Sequence, residues 1–163
     1  MGKATTVPIP RPAGPTHASA SAVSYGHPIQ PIDRVKIFSA TQWEEFVLEW
    51  ADSLVDEYSR VDRCGGSGDM GRDIVAICSD AKDGWDNYQC KHYQHALAPS
   101  DVWIELGKLV YYTYIEEYTY PRKYHFVAPQ GAGTKLANLL RRPADLRAGL
   151  IDSWDDKCRT RIT

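Results

Sequence analysis

Residues 65–93 read GGSGDMGRDIVAICSDAKDGWDNYQCKHY, and their reading decides the fold. Gly65, Gly66, Gly68 and Gly71 make a loop that no packed helix tolerates. The loop runs into Ile74–Cys78, an apolar β-branched segment preceded by Asp73. A polar turn across Ser79–Gly84 follows, and then a second strand-like segment carrying Gln89 and Lys91. Two residues apart on a strand, Gln89 and Lys91 point to the same face, and Cys90 points to the other. Two adjacent strands therefore bring Asp73, Gln89 and Lys91 towards one spot.

That trio has the chemistry of a phosphodiester-cleaving centre. A carboxylate holds a divalent cation, a second oxygen donor completes its shell, and a lysine activates or orients the attacking water. Each residue alone is unremarkable on a loop or a strand face; the ordered combination carries the reading. At these residues the chain resembles the PD-(D/E)XK nuclease superfamily, and especially its Mrr-like restriction endonuclease branch. The matching pattern is Gly65-Gly66-Ser67-Gly68-Asp69-Met70-Gly71-Arg72-Asp73 followed by Gln89-Cys90-Lys91. Gln89 stands where the superfamily's name places Asp or Glu, and the Mrr-like branch uses Gln there. The segment is also similar to nuclease effector domains of bacterial anti-phage systems.

The whole chain bounds the reading. Its 163 residues suffice for one domain with a real core, and 43% hydrophobic with 25% charged residues is a globular composition. No apolar run approaches a membrane span and no signal peptide is visible, so a cytoplasmic protein without membrane contact is expected. The opening Met-Gly-Lys-Ala-Thr-Thr fits only the loose N-myristoylation pattern. Cys64, Cys78, Cys90 and Cys158 form no Cys-x-x-Cys pair and read as reduced thiols. Cys90, His92 and His95 cluster, but four zinc ligands at structural spacing are not present. The formal net charge is −2, yet eight acids and two arginines fall in residues 40–70, against nine bases and four acids in 119–163. That asymmetry suits an acidic, metal-holding side and a basic, phosphate-facing side.

Residues 1–35, rich in Pro, Ala, Ser, Thr and Gly, read as a disordered leader. From Thr41, the spacing of Trp43, Phe46, Val47, Trp50, Leu54 and Tyr58 predicts an amphipathic helix of about 17 residues, capped by Ser39 or Thr41. Residues 59–64 make a short first strand. Ser100 caps a helix running to about Tyr118, with Trp103, Leu106, Leu109, Val110 and Tyr114 on its buried side. Lys123–Ala128 alternates as a strand. Residues 135–140 form a further helix, and Leu146, Leu150, Ile151 and Trp154 keep helical spacing in the tail.

The order helix, strand, strand, strand, helix, strand, helix packs naturally as an α/β fold, an α+β mixed sheet with helices on its faces. The resemblance implies the restriction-endonuclease-like α-β-β-β-α-β core with flanking helices, in a PD-(D/E)XK nuclease-like domain over residues 36–163. That domain is expected to be the N-terminal part of a longer protein. The resemblance further implies a Mg²⁺-dependent endodeoxyribonuclease (Mg²⁺ or Mn²⁺) acting on double-stranded DNA as an anti-phage effector. Asp73 is then the principal metal ligand, Gln89 a secondary ligand and Lys91 the residue acting on the nucleophile. Glu44, following Trp43 in the first helix, supports the metal, with Glu49 as the other choice. Arg72, His92, Arg122 and Lys123 are candidates for backbone contacts to DNA. Control by a sensor domain, a partner protein or homo-oligomer formation is expected. Two alternatives belong to other classes: a catalytically inactive nucleic-acid-binding module of the same fold, and a protein–protein scaffold using the tyrosine-rich helix 100–118.

Overall fold

The computed structural model describes residues 26, 28–66, 68–80, 82 and 84–162. The chain divides into two compact units, Met1–Pro31 and Ile32–Thr163. Most of the expected leader, residues 1–25, lies outside the described residues. Its last residues do not follow the expectation: Pro31–Lys36 forms a short helix, α1. Proline opens it, where its missing N–H costs nothing, and Val35 packs against the core.

Helix α2 spans Ala40–Asp52 and is held at its start by a reciprocal cap, Ser39 Oγ accepting from the Gln42 amide and Gln42 Oε1 from the Ser39 amide. Trp43, Val47 and Ala51 are its buried line. The helix is shorter than its periodicity predicts. The chain turns after Ser53, and the Glu57 and Tyr58 amides both return to the Leu54 carbonyl. Tyr58 belongs to the next strand rather than to the helix.

Four strands follow: β1 (Tyr58–Arg63), β2 (Ile74–Cys78), β3 (Trp85–Cys90) and β4 (Lys123–Val127). They form one mixed sheet in the order β1-β2-β3-β4, antiparallel at the first two junctions and parallel at the third. A parallel pair needs a long crossover, and it contains α3 (Trp103–Tyr114), entered through a 3₁₀ turn at Pro99–Asp101. Helices α4 (Thr134–Leu140) and α5 (Pro143–Lys157) complete five α-helices among the described residues. The protein is thus a mixed α/β fold around a four-stranded mixed sheet. Among the described residues, no helix is long and apolar enough to cross a membrane.

Alternation along the strands builds two cores. Ile74, Ala76, Cys78 and Tyr88 pack with Trp43, Val47, Ala51 and Tyr58 on the α2 face, with Cys90 and Val127 at the margin. Leu97, Val102, Trp103 and Leu136 form the second core, joined by Phe126, Leu146 and Leu150. β3 is buried almost end to end because it is an inner strand with helical cover.

Three expectations for α3 need correction. Ser100 is not its cap; Asp101 Oδ2 takes the Ala98 amide at 2.7 Å at the 3₁₀ entry. The helix stops at Tyr114 rather than near Tyr118, because Glu116 turns to φ 61° with no glycine to announce it. Its buried residues are Trp103, Glu105, Gly107 and Tyr112, whereas Val110 and Tyr114 face solvent. The helix is rotated so that Gly107 lies against Cys158; any side chain there would collide with the Cys158 sulfur.

Candidate active site

The glycine loop joins β1 to β2 and delivers Asp73 to the last position before β2. The Cys64 amide donates to the Asp73 carbonyl at 2.7 Å, extending the strand pairing across the loop's base. Within the loop, Asp69 Oδ1 accepts from the Gly71 amide at 2.8 Å. Gly71 is required twice over: its φ is +80°, and a Cβ there would stand 3.0 Å from Lys108 Cβ on α3.

Strand register sets the rest. Ile74 pairs with Tyr88, so Asp73 falls opposite Gln89. Gln89 Nε2 donates to Asp73 Oδ2 at 2.8 Å, and the Cys90 amide donates to the same oxygen at 2.7 Å. Asp73 Oδ1 has no hydrogen-bond partner among the described residues. Tyr124 of β4 donates its hydroxyl to Gln89 Oε1 at 3.2 Å and also approaches the Gly71 carbonyl at 3.1 Å. Gln89 therefore presents its NH₂ to Asp73 and its carbonyl to Tyr124. Using that carbonyl on a metal requires the amide to turn over and give up the tyrosine.

Lys91 lies one residue beyond β3, where its amide still pairs with Val127. Its ammonium meets Glu105 Oε1 of α3 at 2.6 Å, with both side chains largely buried. Burial works to lower the lysine pKa, but the Glu105 charge and hydrogen bond outweigh it and hold Lys91 above the ordinary value. A lysine so held is a fixed cation, not a proton acceptor. The Asp73 carboxyl is pushed up to about 6 by burial, with Glu44 and Glu105 adding to the rise and the Cys90 amide and Lys91 opposing it.

Glu44 reaches this end of the sheet from α2 but is held by Arg63 of β1 at 2.5 Å. It acts on Asp73 through its charge. Glu49 is exposed on the same helix. Among the described residues no group of three or more His, Cys, Asp or Glu is gathered to hold a metal. Cys90 turns into the core margin and its thiol is pushed up to about 12, chiefly by burial and then by the charges of Asp73 and Glu44. His92 bonds the Val35 carbonyl and His95 faces Asp101.

The chain matches no protein-family model, no curated protein and no solved structure.

The cations proposed for DNA contacts are spread out. Arg72 lies over the Tyr118 ring, 4.4 Å from its centroid, beside the glycine loop. His92 packs near Trp43. Arg122 and Lys123 stand at the start of β4, opposite Asp86, which is the far end of β3 from Lys91. There Arg122 binds the fully buried Asp86 at 2.6 Å and Glu57 at 3.1 Å, and Lys123 approaches Glu57 at 3.5 Å. Arg122 and Lys123 are thus ion-paired away from the centre. Sequence reasoning passed over Glu105, Tyr124 and Lys108. Glu105 gave no signal of its own in the sequence, since an acid on an amphipathic helix ordinarily faces solvent.

Proposed function

We propose that residues 32–163 are a metal-dependent endonuclease domain acting on double-stranded DNA, the effector part of an anti-phage defence protein. The observation that carries the reading is Asp73 itself. It is a half-buried carboxylate with one oxygen fixed by two donors, the other oxygen without a hydrogen-bond partner among the described residues, and a lysine held in its charged form in its field. The helix–strand–strand–strand–helix–strand order and the β1-β2-β3-β4 sheet support the resemblance to PD-(D/E)XK nucleases of the Mrr-like type.

The donor set fits a hard cation of the magnesium kind. Mg²⁺ keeps several waters and is held by one or two carboxylates together with substrate phosphate oxygens; Asp73 Oδ1 offers the carboxylate oxygen. When bound, the metal supplies Lewis acidity and lowers the pKa of water. Gln89 and the Cys90 amide hold Asp73 in orientation. Lys91, fixed by Glu105, places a positive charge where the phosphorane-like transition state gathers negative charge. Glu44 adds negative charge that favours a cation, and Arg63 holds it in place. Control by a sensor domain, a partner or self-association follows from the effector role, since an unregulated nuclease would destroy its own host's DNA.

The test is plasmid cleavage with and without Mg²⁺ or Mn²⁺, by the wild type and by Lys91→Ala at several protein concentrations. Metal-dependent cutting that Lys91→Ala abolishes, with DNA binding retained, is the expected result. Gln89, a neutral amide with its carbonyl held by Tyr124, favours one other reading, a DNA-binding module of the same fold without catalysis. Wild-type protein that binds DNA and never cuts it with either metal selects that reading.

A further inference from the structure

Beyond Glu105 lies a cavity of about 420 Å³, lined by the glycine loop at Gly66, Gly68 and Asp69 and by Lys108, Tyr112 and Arg161. It adjoins the candidate centre through one carboxylate. Lys91 holds Glu105 Oε1 at 2.6 Å, and Lys108, one turn further along α3, stands 3.5 Å from Glu105 Oε2. That Oε2 is buried and makes no hydrogen bond among the described residues. Two ammonium groups thus flank a single side chain, one facing the centre and one facing the cavity.

The cavity's charges are unequal. Lys108 leans towards Asp69 at 3.9 Å, and the Asp69 oxygen concerned already accepts the Gly71 amide. Arg161, just past α5, has no ion-pair partner among the described residues. Of the cavity's two cations, Lys108 is thus offset by Glu105 and Asp69, and Arg161 is the one with no carboxylate paired to it among the described residues. The cavity floor is open as well: a Cβ built at Gly66 or Gly68 meets no heavy atom within 4 Å. A bulky group can therefore approach the loop backbone closely, and main-chain N–H groups in such turns favour anions.

We propose that this cavity seats a backbone phosphate of the DNA strand, adjacent to the phosphate engaged at Asp73 and Lys91, with Arg161 and Lys108 as its cations. The inference rests on the nuclease reading and deepens it. It gives the glycine loop a ligand of its own besides the task of presenting Asp73. Arg161 carries binding rather than chemistry, because it lies on the cavity side of Glu105 and has no contact with Asp73, Gln89 or Lys91.

The test uses the full 163-residue chain, with Arg161→Gln, Arg161→Lys and Gly68→Asp beside the wild type. Gly68→Asp puts an anion into the cavity at a position whose added Cβ meets nothing. Binding of a short DNA duplex without metal is measured across a salt series. In a second arm, inorganic pyrophosphate is titrated while backbone amide signals are followed by NMR. Arg161→Gln is expected to bind DNA several-fold more weakly, with a salt dependence shallower by about one unit. Its KM rises at unchanged kcat, Arg161→Lys recovers most of the affinity, and Gly68→Asp binds more weakly still. Pyrophosphate should shift the Gly66 and Gly68 signals in the wild type and not in Arg161→Gln. Arg161→Gln and Gly68→Asp proteins that match the wild type in affinity and salt slope overturn the subsite, while metal-dependent cutting by the same proteins leaves the nuclease reading standing. A wild type that neither binds nor cuts DNA, yet shows the pyrophosphate shifts, removes the nuclease reading and with it the DNA strand as the source of the phosphate.

Discussion

Two aspartates at opposite ends of the β2–β3 pair show how the same side chain is put to different uses. Asp86 lies on the α2 face, fully buried, and shares its oxygens among Arg122 and the Tyr58 hydroxyl. Burial works to raise its pKa, but the Arg122 and Tyr58 hydrogen bonds and the Arg122 charge outweigh it and hold the carboxyl below its ordinary value. Asp73 lies on the opposite face at the other end, against an amide, a backbone N–H and two neighbouring carboxylates, and is pushed up to about 6. One aspartate is satisfied by its surroundings and the other is not. A charge that folding leaves under-compensated is the one available to a cation or a substrate.

The largest expected effect falls at the satisfied end. Arg122→Ala leaves Asp86 buried with its main counter-charge gone, a loss of about 3–5 kcal/mol for a broken buried pair. Denaturant unfolding reads it, and the midpoint should fall with little change in slope. A much smaller loss would mean that Asp86 is served by Tyr58 alone.

Glu105→Gln acts on the other end. It removes the charge that raises Lys91, so the lysine should lose its proton at lower pH than in the wild type. The alkaline limb of the cleavage pH profile should move down, while activity near neutral pH falls only moderately. An unmoved alkaline limb would detach Lys91 from the chemistry. On the acid side, wild-type cutting at limiting Mg²⁺ should decline as pH drops through about 6, where Asp73 takes up its proton.

Tyr124→Phe should have the smallest effect. It deletes the hydroxyl that holds the Gln89 carbonyl, worth about 1 kcal/mol as a hydrogen bond. The freed amide can then turn its carbonyl towards Asp73, so Mn²⁺ affinity is expected to be kept or slightly raised. A marked fall in Mn²⁺ affinity would show that the amide's present orientation is the one the metal needs.

How much of this was legible in the sequence depended on how local its cause is. The β2 segment announces itself as an apolar β-branched run and the step to β3 through its turn residues, and the two-residue spacing of Gln89 and Lys91 gives their shared face without a structure. The end of α2 was misjudged because Leu54 and Tyr58 continue the helical period by accident; Tyr58 is buried by its bond to Asp86, 28 residues away. Glu105 was missed because an acid on an amphipathic helix is ordinarily solvent-facing, and only Lys91, 14 residues earlier, explains its burial. Arg122 looked like a free cation for the same reason, its partners standing 36 and 65 residues away.

The most direct test of the central contrast is Asp73→Asn, measured for cleavage at matched Mg²⁺ after its melting has shown it folded. The folded pKa of Asp73 is above its ordinary 3.8, so the charge costs stability as pH rises from that value through about 6, and the whole cost is present at neutral pH. Removing the charge should leave the variant at least as stable as wild type above pH 6, with the advantage fading towards pH 4, and without detectable cutting. A variant that cuts like the wild type, or one that is destabilised at neutral pH as a satisfied aspartate's loss would be, contradicts the assignment of Asp73 as the functional carboxylate.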